Sequence, residues 1–245
     1  MNKVIIVQAR MASTRLPGKV MMKVLGKPLI EYLIERLRRV RFADGLVIAT
    51  TDNGTEKPIA ELCHRLSVTC FRGPEDDVLA RYHLAAHAVA ADIVVRITSD
   101  CPIIDPLVID EIICFFDMHT NEFDYVTNAL VRSFPRGMDV EVFPISVLDE
   151  AFNEAKDPAE REHVTPFIYR HPERYRIGHV VRDGDASDHR WTVDTPEDFE
   201  LVRRIIEALY PLKPDFGLEE VLELIVRNPD WMMVNAAVRQ KELGE

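Results

Sequence analysis

The sequence predicts an α/β fold, a mostly parallel sheet with helices on both faces. Three observations carry that prediction. Short runs rich in β-branched residues, Val4-Ile5-Ile6-Val7, Leu46-Val47-Ile48-Ala49-Thr50 and Asp92-Ile93-Val94-Val95-Arg96-Ile97-Thr98, read as buried strands. Segments with helical apolar spacing lie between them, the alternation that builds parallel sheets. And 245 residues, 47% of them apolar, suffice for one large core with a small inserted α+β subdomain at about 120–183.

The first strand empties directly into Gln8-Ala9-Arg10-Met11-Ala12-Ser13-Thr14-Arg15-Leu16-Pro17-Gly18-Lys19. In open α/β sheets the loops at the carboxyl ends of strands line the ligand crevice. Arg10, Arg15 and Lys19, set among small and hydroxylated residues, therefore read as cations aimed at phosphates. The plain alternative is a solvated basic loop. Pro17 and Gly18 stiffen and turn the loop and let backbone N–H groups approach a ligand closely. Neither a G-x-x-x-x-G-K loop nor a G-x-G-x-x-G turn is present.

Pro28 at a first turn, with Leu29, Ile30, Leu33 and Leu37 at helical spacing, predicts helix 28–40. Strand 46–50 ends in the turn cluster Thr51-Asp52-Asn53-Gly54, and helix 56–66 and strand 68–71 follow. Arg72-Gly73-Pro74-Glu75-Asp76-Asp77 opens a helix running to about Ala90, with Asp76 the favoured N-cap. His83 and His87 stand four apart on it, a spacing that suits a shared metal; the sequence shows no third ligand nearby, and ordinary packing is the plainer reading. Strand 92–98 delivers Ser99-Asp100-Cys101-Pro102, and Pro102 and Pro106 frame helix 106–118.

Between 120 and 183 the alternation breaks down, with strands at 123–128 and 139–143 and helices at 145–155 and 158–171. Trp191-Thr192-Val193 reads as a short strand leading into Asp194-Thr195-Pro196-Glu197-Asp198, where Asp194 or Thr195 makes a good N-cap. Amphipathic helices 218–227 and 230–241 close the chain.

Charge is uneven. Residues 8–41 hold nine Lys or Arg against Glu31 and Glu35, a balance of +7, while residues 42–245 carry −19. An acidic body repels nucleic acid and anionic membrane, so the positive end suits a small polyanion. Arg36, Arg38, Arg39 and Arg41 fall on the outer face and end of a helix, where cations stabilise without a ligand. No run of 18 apolar residues and no leader pattern is seen, so no membrane span and a cytoplasmic location are expected. Cys63, Cys70, Cys101 and Cys114 lack C-x-x-C spacing and read as free thiols.

The loop 8–19 resembles the nucleotide-binding loop of the cytidylyltransferases that make CMP-activated sugar acids, a group that includes SpsF-type spore coat polysaccharide proteins and the CMP-Kdo and CMP-acylneuraminate synthetases. Thr98-Ser99-Asp100-Cys101-Pro102-Ile103 resembles that family's metal-binding Gly-Asp-x-Pro segment, with Ser99 where Gly is usual. Val193-Asp194-Thr195-Pro196-Glu197-Asp198 resembles its second metal-binding segment, and Phe134-Pro135-Arg136-Gly137-Met138-Asp139-Val140-Glu141 a segment lining the acceptor side.

The resemblance implies a Rossmann-like fold of the nucleotide-diphospho-sugar transferase type, CTP and a sugar acid as substrates, Mg2+ on Asp100 and Asp194, and a homodimer. It implies nucleotide contacts from Gln8, Ala9, Arg10, Met11, Ser13, Arg15, Lys19, Arg72, Asp77, Arg81 and Asp100, of which Arg10, Arg15, Lys19 and Asp100 are catalytic. Arg136, Asp139, Glu141, Arg161 and His163 are the acceptor-side candidates; for Arg161 the alternative is an ion pair on a solvated helix. Two other readings stand beside it. A nucleotide-sugar glycosyltransferase would use an Asp-x-Asp grip, and Asp183-Gly184-Asp185 has that form, though Asp-Gly is foremost a turn signal. A catalytically silent binding module would bind nucleotide and release no pyrophosphate.

Overall fold

The computed structural model describes residues 1–240. The chain begins with β1 (Lys3–Gln8), apolar on both faces and therefore interior to the sheet: Ile5 and Val7 enter one core, Val4 and Ile6 the other. A hairpin of β2 (Lys23–Val24) and β3 (Lys27–Pro28) turns at Leu25 and Gly26 and hands the chain to α1 (Leu29–Leu37). The alternation continues through β4 (Gly45–Thr51), α2 (Lys57–Arg65), β5 (Thr69–Gly73), α3 (Val78–Ala88), β6 (Ile93–Thr98) and α4 (Pro106–Met118). Then come β7 (Tyr125–Thr127), β8 (Glu141–Pro144), α5 (Ile145–Glu154), α6 (Pro158–His163), α7 (Pro166–Tyr169), β9 (Ile177–His179), α8 (Pro196–Leu209) and α9 (Leu218–Arg227).

Among the described residues these form a seven-stranded sheet in the order β5-β4-β1-β6-β8-β7-β9. The first four strands pair in parallel, β8 runs antiparallel to β6 and to β7, and β9 is parallel to β7. The stretch 120–183 thus extends the edge of the main sheet. One face is covered by α1, α2, α4, α8 and α9, the other by α3, α5 and α7. Tyr82 of α3 is fully buried and its hydroxyl reaches Ile6 O at 3.0 Å and Ile97 O at 3.1 Å, so α3 is fixed against the carboxyl ends of the two central strands. The parallel ladder therefore delivers the loops after β1 and β6 side by side.

Several elements differ from expectation for identifiable reasons. Pro28 is the N-cap of α1 rather than a first-turn residue, and the helix ends at Leu37 instead of 40. The cap of α3 is Asp77, which accepts from Ala80 N at 2.9 Å, not Asp76. Helix 158–171 is two helices, because Val164 turns left-handed at φ 74° and Pro166 brings no N–H. Helix 230–241 is a 3-10 turn, Pro229–Met233, followed by irregular chain to residue 240; residue 241 lies outside the described residues. Asn235 draws that chain inward through bonds to Arg190 O and Asp198 Oδ1.

The most consequential difference is at Trp191-Thr192-Val193, which joins no sheet. Trp191 N donates to Arg136 O at 2.7 Å and Val193 N to Asp100 O at 2.8 Å, so the segment is a strap between two loops. Gly137 makes the strap possible. It sits at φ +101°, and a Cβ there would lie 2.8 Å from Trp191 C and 2.9 Å from Thr192 N. Gly137→Ala is expected to lower folding stability by about 2 kcal/mol or more, from backbone strain and collision with main chain. An unchanged urea midpoint would contradict this packing.

Candidate active site

The loop after β1 keeps its shape through its own main chain. Gly18 N donates to Met11 O at 2.9 Å, Lys19 N to Leu16 O at 3.2 Å, and Gly18 adopts φ 70°, which suits glycine. Val20, buried, anchors the loop's end in the core. The loop forms one wall of a cleft of about 360 Å³ at the carboxyl ends of β1 and β6. The lining holds seven cationic side chains, Arg10, Arg15, Lys19, Arg81, Arg96, Arg132 and Arg136, against four carboxylates, Asp100, Asp139, Glu162 and Asp194. Such an excess suits a polyanionic ligand.

Two of those carboxylates, 94 positions apart in the chain, converge on one ammonium. Lys19 Nζ lies 2.8 Å from Asp194 Oδ1 and 3.7 Å from Asp100 Oδ2, and it also donates to Val193 O at 2.7 Å. The other oxygen of Asp194 faces Arg15 at 3.0 Å and Arg190 at 2.7 Å. Arg190 is itself held by Asp198, which is fully buried and closes the capping box of α8 with Thr195. Because Thr195 caps the helix, Asp194 stays available to the cleft.

Burial alone would lower the Lys19 ammonium, but Asp100 and Asp194 outweigh it and hold it above the ordinary 10.5. Burial would raise Asp100, yet Lys19, with hydrogen bonds from Thr98 and Thr192, brings it below the usual carboxylate value. Both groups are therefore ionised at neutral pH. Burial raises Asp139, with Arg132, 2.8 Å away, opposing. Burial lowers His163, which enters the cleft as a neutral imidazole at neutral pH. Arg10 and Arg136 have no carboxylate within ion-pairing distance among the described residues, so their charges face the cleft uncompensated.

A sequence model of the cytidylyltransferases matches residues 4–226. The chain belongs to the cytidylyltransferase family. It is 34% identical over 238 residues to the spore coat polysaccharide biosynthesis protein SpsF of Bacillus subtilis, covering 94% of this chain and 97% of that protein. A solved cytidylyltransferase from Leptospira borgpetersenii superposes with a TM-score of 0.91 at 32% identity, over 99% of this chain and all of that one. A CMP:2-keto-3-deoxy-manno-octonic acid synthetase solved with CTP shares the fold at a TM-score of 0.64 and 19% identity, over 85% of this chain and 99% of the other. The protein is thus a nucleotidyltransferase on a Rossmann-like sheet.

The cytidylyltransferase cleft gathers many of the residues singled out in the sequence: Gln8, Ala9, Arg10, Ser13, Arg15, Lys19, Arg81, Asp100, Arg136, Asp139, His163 and Asp194 all line it. Others sit elsewhere. Met11 serves the loop's internal hydrogen bonding. Arg72 is half exposed, 3.7 Å from Glu56. Asp77 and Arg161 occupy each other, with Arg161 Nε 3.0 and 3.1 Å from the two Asp77 oxygens. Glu141 is buried behind the cleft, where it accepts from Arg96, Tyr125 and Thr165. Asp183-Gly184-Asp185 is an exposed turn off the cleft lining, Asp185 accepting from Ser187 N at 2.8 Å.

Sequence reading missed Arg96, Arg132, Glu162, Arg190 and Gln240. Arg96 had a signal, a lone cation in a strand otherwise apolar. Arg190 had only its place four before Asp194 and eight before Asp198.

The ionised cluster sets a pH window. Asp100, lowered on folding, contributes stability present above the unfolded carboxylate range and lost as pH falls through its folded value; Lys19, raised, contributes stability present below 10.5 and lost as pH rises through its folded value. Lys19→Met leaves the burial of Asp100 unopposed by its nearest cation. It is expected to cost about 2 kcal/mol at pH 7 and to flatten or reverse the gain in urea midpoint between pH 4 and 7. A variant whose midpoint rises with pH as the wild type's does would show that Lys19 does not hold the carboxylates.

Proposed function

We propose that this cytidylyltransferase condenses CTP with a sugar acid, giving a CMP-sugar and pyrophosphate, with a divalent cation of the Mg2+ class. The observation that carries the reading is the meeting of Asp100 and Asp194 on Lys19 beneath the cationic loop. A pair of hard carboxylate oxygens in a cleft rich in phosphate-seeking cations is the donor set that Mg2+ takes alongside phosphate oxygens and water. Asp100 is the better placed of the two, since Asp194 already faces Arg15, Lys19 and Arg190. When bound, the cation supplies charge neutralisation to the phosphates.

The chain's own residues supply position and charge. An acceptor hydroxyl oxygen attacks the α-phosphorus, the bond to the bridging oxygen of pyrophosphate breaks, and the hydroxyl proton leaves to solvent or a neighbouring base. Positioning and charge stabilisation do most of the work in such transfers. Arg10, free of carboxylate partners among the described residues, takes the triphosphate at the loop; Arg15 leaves Asp194 to join it, exchanging one anion for another. Guanidinium groups suit that grip because their paired N–H donors match phosphate oxygens. Arg136, likewise unpaired among the described residues, takes the carboxylate of the acid. His163 and Asp139 line the same side. The kinship with SpsF, and the fold shared with a synthetase of CMP-linked octonic acid, support this choice of substrates.

The test is a coupled pyrophosphate assay of CTP against nonulosonic, Kdo-like and aldonic acids. Pyrophosphate should appear only with CTP, Mg2+ and a matching acid together. Asp100→Asn should lower kcat roughly a thousandfold, in line with the several kcal/mol of charge neutralisation lost. Arg10→Ala should raise KM for CTP, and Arg136→Ala should raise KM for the acid while leaving that for CTP near wild type. Release of pyrophosphate without any acid, or full turnover in Asp100→Asn, would end this reading.

A further inference from the structure

On the sheet face away from α1, α3 carries His83 and His87 one turn apart, and α5 packs beside it. The third donor that the sequence did not show comes from α5, 62 positions beyond His87. Asp149 Oδ1 lies 2.9 Å from His83 Nε2 and 2.7 Å from His87 Nε2. Two imidazole nitrogens and a carboxylate oxygen thus stand within 4.8 Å of one another. We propose that His83, His87 and Asp149 form a zinc-class metal site that ties α3 to α5, separate from the nucleotide cleft and independent of the reaction assigned to it.

The donor set and the packing both argue for it. Two histidines and one carboxylate, with a fourth position left for water, are a recurrent zinc arrangement with bonds of about 2.0–2.1 Å. Tetrahedral bonds of that length separate ligand atoms by about 3.3 Å, so the two contacts to Asp149 need to open by only about half an ångström, and the two imidazole nitrogens already stand within 4.8 Å. His83 is held for the purpose. Its ring stacks on Phe152, centroids 4.1 Å apart and planes within 9°, and Phe152 stands on the same helix as Asp149. One helix therefore sets both the imidazole plane and the carboxylate.

His87 is half exposed and Asp149 more than a third, so an ion has a path in from solvent. The nearby cation Arg161 is engaged by Asp77. The same three groups, without metal, would be a hydrogen-bonded tie between helices, and the two cases separate by experiment.

Isothermal titration of ZnCl2 into the full chain, stripped of metal with chelator, should show one site of micromolar affinity. His87→Ala should weaken it at least tenfold, and Asp149→Asn similarly, while Asp100→Asn in the cleft should leave it within about twofold. The melting temperature should rise with zinc in the wild type and in Asp100→Asn, and stay fixed in His87→Ala; His87→Gln repeats the test with less change of surface. Absence of saturable binding, equal binding in His87→Ala, or loss of the site in Asp100→Asn would overturn the proposal.

Discussion

A single ammonium holds the cleft together. Lys19 closes the first loop of the chain, and its Nζ meets Asp194, Asp100 and the Val193 carbonyl. Two carboxylates brought close in a half-buried cleft repel and resist ionisation unless a cation stands between them. Lys19 supplies it, while Arg15 and Arg190 take the far oxygen of Asp194. The consequence is a cluster poised for exchange. In the proposed reaction a triphosphate offers Arg15 a denser negative charge than one carboxylate does, and drawing Arg15 away leaves that Asp194 oxygen to Arg190 alone.

What surrounds that cluster is built to keep it in place. Arg190 spans Asp194 and Asp198, and Asn235 binds both the Arg190 carbonyl and Asp198, so the irregular chain after α9 is fastened to the network beneath the site. Gln240 accepts from Arg190 Nη1 at 2.6 Å and lines the cleft as well. On the other face Tyr82 bonds to the carbonyls of Ile6 and Ile97, holding α3 and its Arg81 against the ends of the central strands. The site therefore depends on both cores at once.

The sheet's central strands and the cationic loop were legible because their signals are local. β-branched runs name β1, β4 and β6 within a residue or two, and three cations after a strand name a crevice. The strap at 191–193 was not legible, because its apolar, β-branched composition is a strand's while its hydrogen bonds go to Arg136 and Asp100, one from each of two distant loops. Nor was the break at Val164, where tertiary packing imposes a left-handed residue that no local rule predicts. Glu141 was read as facing the acceptor, yet its carboxylate is consumed by Arg96, Tyr125 and Thr165, partners that only the folded register brings together. Asp149 gave no hint of company with His83 and His87, since helix-to-helix contacts across 62 positions leave no periodicity to read.

The strap has a bearing on how the molecule comes into being. Lys19 and Asp194 are 175 positions apart, so their meeting closes one of the longest loops among the described residues, and a loop of that span costs more chain entropy to close than a short one. A nascent chain that has emerged only as far as β9 already contains all seven strands of the main sheet and the whole cationic loop, but its Lys19 has just one of its two future carboxylates. The contacts of Lys19 with Val193 and Asp194 thus wait on chain beyond β9, which crosses back to the carboxyl ends of β1 and β6 after every strand of the sheet has been made.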